Sequence, residues 1–126
     1  MKKIIVLTLS LVFFAGIYSS FAQTKPMQLR HVVFFKFKEG TTEADIKTIV
    51  DGFKDLTKKI PTIKAFEWGT NNSPEKLNEG LTHCFFVTFS SEKDRDNYLV
   101  DPAHKAFVEI LKPHLDKPVV LDYWAQ

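Results

Sequence analysis

Two of the four histidines in this chain occupy the same position of a repeated pattern. His31 is the third residue of Leu29–Phe37, and His83 is the third residue of Leu81–Phe89, 52 positions further along. Both segments follow the form Leu-x-His-x-Φ-Phe-Φ-x-Phe, in which Φ is an apolar residue. Histidine gives and takes protons near neutral pH, so a pocket that contains one is suited to acid–base chemistry. The two copies predict two strands, each with a histidine near its start.

The sequence gives less support for a metal or cofactor site than for acid–base chemistry by histidine. Zinc would accept His31, His83 and His104 as three ligands and keep an open position, but the sequence has no closely spaced histidine pair and no nearby fixed carboxylate to orient the rings. The glycines stand singly, and no Gly-x-Ser-x-Gly elbow is present. We therefore expect no metal site and no cofactor. The single cysteine, Cys84, is expected to act as a small apolar strand residue.

The first half of the chain reads as strand, helix, strand. A helix is expected to begin near Thr42, because Glu43 and Asp45 place negative charge in its first turn, where the helix dipole favours it. The helix should end at Ile60, which precedes a proline. Ala65–Trp68 then forms the second strand. This half therefore has the order β-α-β.

The second half repeats that order, with an interruption in its helix. A helical segment is expected to begin at Ser90–Ser91 and to reach Tyr98–Leu99. Asp101 and Pro102 then form an N-cap and first-turn pair that starts a second helical piece. Val120–Trp124 closes the half as a strand. Both helical regions fit on one face of a four-stranded sheet.

The opposite face of the sheet also requires a cover. Val32 and Phe34 of the first histidine strand, and Cys84 and Phe86 of the second, alternate with the residues that face the helices. An exposed apolar patch of this kind is uncommon on monomers. We therefore predict a homodimer in which the open sheet face packs against a second copy.

The first 22 residues form a predicted signal peptide. A basic start is followed by an apolar stretch, Ile4–Ile17, and by small residues that suit cleavage after Ala22. The apolar stretch is shorter than the roughly 18 residues of a credible membrane span. The sequence thus predicts residues 1–22 as signal, 23–28 as a short lead and 29–126 as one domain. The protein is expected to be exported, to the periplasm or outside the cell, with no stable membrane anchor after cleavage.

Charge gives no indication of a nucleic-acid partner. The chain has 17 basic and 15 acidic residues, and removal of Lys2 and Lys3 with the signal leaves 15 of each. Nucleic-acid-binding proteins usually carry a basic face or stripe. The mature chain has no long run of one sign, so we expect it not to bind nucleic acid.

Four segments of the chain have a distinctive order and spacing, and they are His31–Phe37, Phe66–Gly69, Gly80–His83 and Asp101–Phe107. Pro-Ala-His-x-x-Phe and the Thr-His strand start are the most specific parts. Together they resemble the Dabb family, the stress-responsive dimeric α/β-barrel proteins, and the resemblance covers residues 29–124. It implies an α+β fold with a ferredoxin-like βαββαβ protomer, an antiparallel four-stranded sheet with helices on one face, and a dimeric barrel.

The resemblance also implies candidate site residues. Plant polyketide cyclases of this family use a histidine and a tyrosine for a cofactor-free aldol cyclisation. Their motif positions correspond to His104 and Tyr98, and the strand histidines are His31 and His83. A pocket tyrosine that such cyclases carry on the first helix is Phe53 in this chain. We predict catalytic roles for His104, Tyr98 and His31, and a ligand-binding surface formed by His83, Phe53, Phe35, Phe85 and Trp68.

Three functions remain open from the sequence. The first is binding of a small apolar or carbonyl compound between sheet and helices. The second is a cofactor-independent lyase, isomerase or cyclase reaction, with His104 as general base and Tyr98 as its partner. The third is a structural dimer whose cavity is filled by its own side chains. His104→Ala and Tyr98→Phe should abolish turnover in an enzyme and only weaken or shift affinity in a binder. In a structural dimer they should change the melting temperature with no effect on a ligand.

Overall fold

A four-stranded antiparallel sheet covered on one face by helices forms the domain. It is seen in a computed structural model that describes residues 26–126, so the predicted signal peptide and residues 23–25 of the lead lie outside the described residues. The elements in chain order are β1 (Leu29–Phe37), α1 (Glu43–Lys59), β2 (Ala65–Thr70), β3 (His83–Phe89), α2 (Glu92–Val100), α3 (Pro102–Leu111) and β4 (Leu115–Trp124). Within this part of the chain, no helix is long and apolar enough to cross a membrane.

The strand order is β2-β3-β1-β4, which confirms the predicted ferredoxin-like fold. The central strands β1 and β3 are antiparallel, and their register pairs His31 with Val87 and Phe35 with His83. The two histidines of the repeated pattern therefore lie at opposite ends of the sheet. Strand β4 pairs with β1 at the other side and places Asp122 directly opposite His31.

Polar caps start all three helices at the predicted positions. Thr42 and Asp45 form a reciprocal capping box at the start of α1. The Ser91 side chain caps α2 by accepting from the Asp94 N–H. Asp101 caps α3 by accepting from the Ala103 N–H at 2.7 Å, and a proline occupies the first helical position. These caps fix where each helix leaves the sheet.

Strand β4 is longer than the sequence indicates. The structure begins it at Leu115, whereas we expect a strand only from Val120. The first half of β4 is not predicted from the sequence because it contains Pro118, and proline lacks the N–H that a central strand needs. An edge strand tolerates proline, since one of its sides has no neighbour to receive that hydrogen bond. The longer β4 extends the sheet beside α3.

The core between sheet and helices is built largely from aromatic rings. Phe53 of α1 lies at its centre, with ring centroids 4.7 Å from Phe85 of β3 and 4.8 Å from Phe107 of α3. Phe35 of β1 lies 5.0 Å from Phe85. Burial of several large rings supplies much of the stability of so small a domain. Phe35, Phe53 and Phe107 also form one wall of the candidate site.

The sheet face away from the helices is apolar across its middle, as predicted. Val32 is buried by its neighbours even in a single copy, and Phe34 and Phe86 are half-buried. Strand β4 adds Leu121 and Tyr123 to the same face, at 56% and 46% exposure. The largest exposed apolar surface of this face therefore comes from β4.

Candidate active site

A cavity of about 320 Å³ opens between the sheet and helices α2 and α3. The polar residues of its wall are His31 of β1, Tyr98 of α2, His104 of α3 and Asp122 of β4. Its remaining wall is apolar and includes Phe35, Phe53, Phe107, Leu111, Leu115 and Val120. A larger groove of about 580 Å³ lies on the outer side of α1, where charged side chains such as Lys54 and Asp55 line it and no histidine does. The smaller cavity is therefore the candidate site.

His104 is held at the start of α3 with one ring nitrogen facing a backbone acceptor. Its Nδ1 lies 3.2 Å from the carbonyl oxygen of Leu99. A carbonyl oxygen only accepts, so Nδ1 carries the proton and Nε2 of the neutral ring keeps a free electron pair. Burial lowers the pKa of His104, the Leu99 carbonyl opposes that shift, and nearby His31 lowers the pKa further. His104 is thus an unprotonated base at neutral pH.

Tyr98 lies beside His104 and is almost completely enclosed. The two ring centroids are 4.3 Å apart, and only 1% of Tyr98 is exposed. Burial raises the pKa of the Tyr98 hydroxyl far above its ordinary value, because a phenolate would lose its hydration. The hydroxyl therefore keeps its proton and can donate a hydrogen bond to a ligand oxygen.

His31 reaches the same end of the cavity and is oriented by a carboxylate. Its ring centroid lies 5.7 Å from that of Tyr98. Nδ1 of His31 is 2.7 Å from Oδ1 of Asp122, so the Nδ1–H group donates a hydrogen bond to the carboxylate. Nε2 is then the ring nitrogen that is not engaged by Asp122. The sequence-based expectation of no fixed carboxylate near the histidines is therefore wrong. Asp122 is the functional candidate that the sequence analysis did not identify.

The structure brings together five of the eight predicted site residues. His104, Tyr98, His31, Phe35 and Phe53 all line the cavity. The three other predicted residues do not line the cavity, and they are Phe85, His83 and Trp68.

Phe85 is fully buried behind Phe53 and Phe35 and supports the cavity wall. The other two predicted ligand-binding residues lie toward the far end of the sheet. The ring planes of His83 and Trp68 are nearly parallel, with centroids 6.2 Å apart. His83 borders a separate cavity of about 370 Å³ together with Cys84. Burial lowers the pKa of His83. Burial also raises the pKa of the Cys84 thiol, and the negative charge of Glu67 raises it further by a smaller amount. Both groups are therefore neutral at pH 7.

Metal-binding geometry is not found in the part of the chain described here. Between residues 26 and 126, no group of three or more His, Cys, Asp or Glu side chains converges to hold a metal ion. The antiparallel register explains this, since it separates His83 from His31 along the strands.

Comparison with known proteins shows similarity over the whole described domain. The sequence profile described as Stress responsive A/B Barrel Domain matches residues 29–125. A stress-response A/B barrel domain-containing protein of Arabidopsis thaliana is 38% identical over 95 residues, which cover 75% of this chain and 87% of that protein. Olivetolic acid cyclase of Cannabis sativa is 31% identical over 97 residues, covering 77% and 96% of the two chains.

Solved structures show the same fold. The hydroxynitrile lyase of Passiflora edulis superimposes with a TM-score of 0.76 at 31% identity, covering 81% of this chain and 96% of that enzyme. A ferredoxin-like protein of Thermobifida fusca, described as dimeric, has a TM-score of 0.69 at 20% identity, with 80% and 93% of the two chains covered. At that identity the likeness concerns the fold alone.

Proposed function

We propose that this chain, which belongs to the Dabb family of stress-responsive A/B barrel proteins, binds a small compound with one carbonyl group and moves a proton at the carbon beside it. The observation that carries the proposal is the pairing of His104 and Tyr98, with ring centroids 4.3 Å apart in one cavity. One is an unprotonated base and the other a protonated donor. Pairs with separated acid and base roles are typical of proton-transfer sites.

The reaction step uses both groups at once. Nε2 of His104 takes a proton from the carbon next to the carbonyl, and the electrons of the broken C–H bond form a carbon–carbon double bond. The carbonyl π electrons move onto oxygen, and the Tyr98 hydroxyl donates a hydrogen bond to that developing negative charge. The enolate carbon then takes a proton back from the His104 imidazolium, which restores the neutral base. No cofactor is needed to balance these steps.

The shape of the cavity supports a substrate with a single polar end. His31, Tyr98, His104 and Asp122 lie at one end, and the other walls are hydrocarbon. Phe53 stands where cyclases of the family carry a tyrosine, so this wall offers no hydroxyl to a second oxygen. A volume of about 320 Å³ is at the small end of ligand pockets. An aromatic or short aliphatic ketone or aldehyde fits these conditions better than a chain with several carbonyl groups.

The relatives support the reaction class. One is named olivetolic acid cyclase and another hydroxynitrile lyase, each at 31% identity over most of its length. Cyclase and lyase reactions at a carbonyl group both need a base and a donor for the oxygen. This chain has a base and a donor of these kinds in His104 and Tyr98.

Binding without catalysis is the second candidate. The mostly apolar wall and the small number of polar groups at one end are typical of a ligand pocket. In this function, the Tyr98 hydroxyl would donate a hydrogen bond to the ligand oxygen, and His104 would transfer no proton. An open cavity supports either candidate over a structural dimer without ligand.

We also propose that the protein acts after export, as a homodimer. The basic and apolar pattern of residues 1–22 supports export to the periplasm or beyond the cell. The exposed apolar side chains of Leu121 and Tyr123 beside Val32 support pairing through the open sheet face. Solved relatives of the same fold are described as dimeric, which agrees with this arrangement.

Deuterium exchange tests the proposed reaction without knowledge of the natural substrate. Phenylacetone has one carbonyl, an aromatic body and exchangeable protons beside the carbonyl, and proton NMR in D₂O follows their loss. We expect the protein to accelerate exchange over buffer and His104→Gln to lose about 10²-fold or more of that acceleration. His114→Gln is the matched control, because His114 lies beyond α3 and outside the cavity. Specific binding of phenylacetone with exchange at the buffer rate would instead favour the binding function.

A further inference from the structure

Arg95 connects helix α2 to the carboxylate that orients His31. Its Nη1 lies 3.1 Å from Oδ2 of Asp122, while Oδ1 of the same carboxylate lies 2.7 Å from His31. The two oxygens of Asp122 are therefore divided between one arginine and one histidine. The three residues come from α2, β4 and β1, which makes this contact a link between three elements.

The guanidinium is itself held in place. Its Nε and Nη2 both lie 2.9 Å from Oδ1 of Asp96, and only 19% of the Arg95 side chain is exposed. Arginine presents its donors in a rigid plane, so a group fixed by one carboxylate can hold a second in a defined orientation. Asp122 is 30% exposed on its side chain, so without such a partner its carboxylate would be free to turn toward water.

We propose that Arg95 is a positioning residue. By holding Asp122 in place, it keeps His31 in the tautomer that is protonated at Nδ1 and donates to the carboxylate. Nε2 of His31 then remains the unprotonated nitrogen of the neutral ring. The other groups that face His31 are Tyr98 on α2 and His104 on α3. Its β3 neighbours, Val87 and Phe89, are apolar. Among these contacts, Asp122 is the one that selects between the two ring nitrogens.

Loss of the Arg95 contact should change both the rate of turnover and the tautomer of the His31 ring. The effect of Arg95 on turnover depends on the proposed proton-transfer function, whereas its effect on the His31 ring does not. A histidine whose two tautomers interconvert offers Nε2 as an acceptor for only part of the time. Outer partners that orient metal-binding histidines contribute about 10- to 100-fold to metal affinity or activity, and we expect an effect at the low end of that scale for a partner of a metal-free histidine. We place Arg95 in that class of residue.

The test is nitrogen-15 NMR of the histidine rings in the protein, at a pH where the rings are neutral. A His31→Gln variant assigns the His31 signals by their loss. We expect the wild-type protein to show His31 protonated at Nδ1, and Arg95→Met to bring the two ring nitrogen shifts closer together as the tautomers mix. In the phenylacetone exchange assay, we expect kcat to fall about tenfold with KM changed less than twofold.

Two further variants keep the test decisive. Asp96→Asn removes the charge that holds the guanidinium but keeps an oxygen that accepts from Nε and Nη2, so it should change the His31 ring pattern less than Arg95→Met does. Arg95→Lys keeps the positive charge but lacks the planar guanidinium, so its loss of kcat should be smaller than that of Arg95→Met. If Arg95→Met does not fold, Arg95→Lys is measured in its place. Wild-type ring signals in both Arg95 variants, with only the melting temperature lowered, would show that Arg95 merely fastens α2 to β4. Absence of exchange in the wild type would overturn the proposed function, and the ring spectra would still decide the role of Arg95.

Discussion

At the scale of single residues, two histidines share one arrangement. His31 and His104 each direct Nδ1 to a group that only accepts, a carboxylate in one case and a backbone carbonyl in the other. In the neutral form of either ring, this places the free electron pair on Nε2. Tyr98 packs against both rings and keeps its proton. One base and one donor at the same end of an apolar cavity are what removal of a proton beside a carbonyl requires.

The pH dependence of exchange follows from the burial of two of these groups. Burial lowers the pKa of His104, so the base stays unprotonated below the usual histidine range, and kcat/KM should fall only at a pH under about 6.5. Burial raises the pKa of Tyr98, so no loss from its ionisation is expected up to pH 10. Exchange rates measured from pH 4.5 to 10 check both statements. An acid limb with its midpoint above pH 7 would contradict the assignment of His104 as the base.

At the scale of elements, the break between α2 and α3 builds the site. Tyr98 is in the last turn of α2, and His104 is in the first turn of α3. Asp101 ends one helix and caps the next, so its geometry sets the distance between the two functional rings. Six residues of continuous helix would place side chains on different faces, since one turn takes 3.6 residues. The interruption lets both rings line the same cavity.

Removal of the α3 cap should therefore affect both stability and rate. Asp101→Ala removes the acceptor for the Ala103 N–H and should lower the free energy of unfolding by about 1 kcal/mol. Because His104 lies in the turn that the cap orients, exchange should slow as well. Thr42→Ala is the matched control, since it removes the cap of α1 at similar cost and far from the cavity. Urea unfolding and exchange rates measure both effects; equal rates in the two variants would contradict this role for the cap.

Much of the fold could be predicted from the sequence because it depends on local signals. Caps at Thr42 and Asp101 and the apolar periodicity mark the helices, and the repeated histidine pattern marks β1 and β3. The site depends on pairing between distant strands, which periodicity does not report. Only the register shows that His83 lies far from His31. It also places Asp122, whose one local signal is an acidic residue inside an apolar strand run, opposite His31.

At the scale of the whole molecule, the sheet has one face covered by helices and one that a second copy would cover. Strand β4 contributes to both faces, because Asp122 lies at the cavity and Leu121 on the open face. Pairing of two sheets would hold β4 in place and so support the carboxylate that orients His31. The proposed dimer and the proposed site are therefore connected through one edge strand.

A charge on the open sheet face should separate the subunits. Leu121→Glu places a carboxylate where the proposed dimer buries an apolar side chain, so the loss of hydration would oppose pairing. We expect light scattering with size-exclusion chromatography to give the dimer mass for the wild type and the monomer mass for this variant. Leu77→Glu is the control, because Leu77 is highly exposed in the β2–β3 loop and lies outside the sheet. A dimer that survives Leu121→Glu would contradict pairing through this face.

The central claim is that the end of the cavity formed by Tyr98, His104 and His31 holds a carbonyl group, and carbon-13 NMR of carbonyl-labelled phenylacetone tests it most directly. We predict that the carbonyl signal of the bound ketone moves downfield from that of the ketone in apolar solvent, because the Tyr98 hydroxyl polarises it. Tyr98→Phe should abolish this displacement, whereas Tyr123→Phe, on the open sheet face, should retain it. A bound signal that is the same in wild type and Tyr98→Phe would contradict the account.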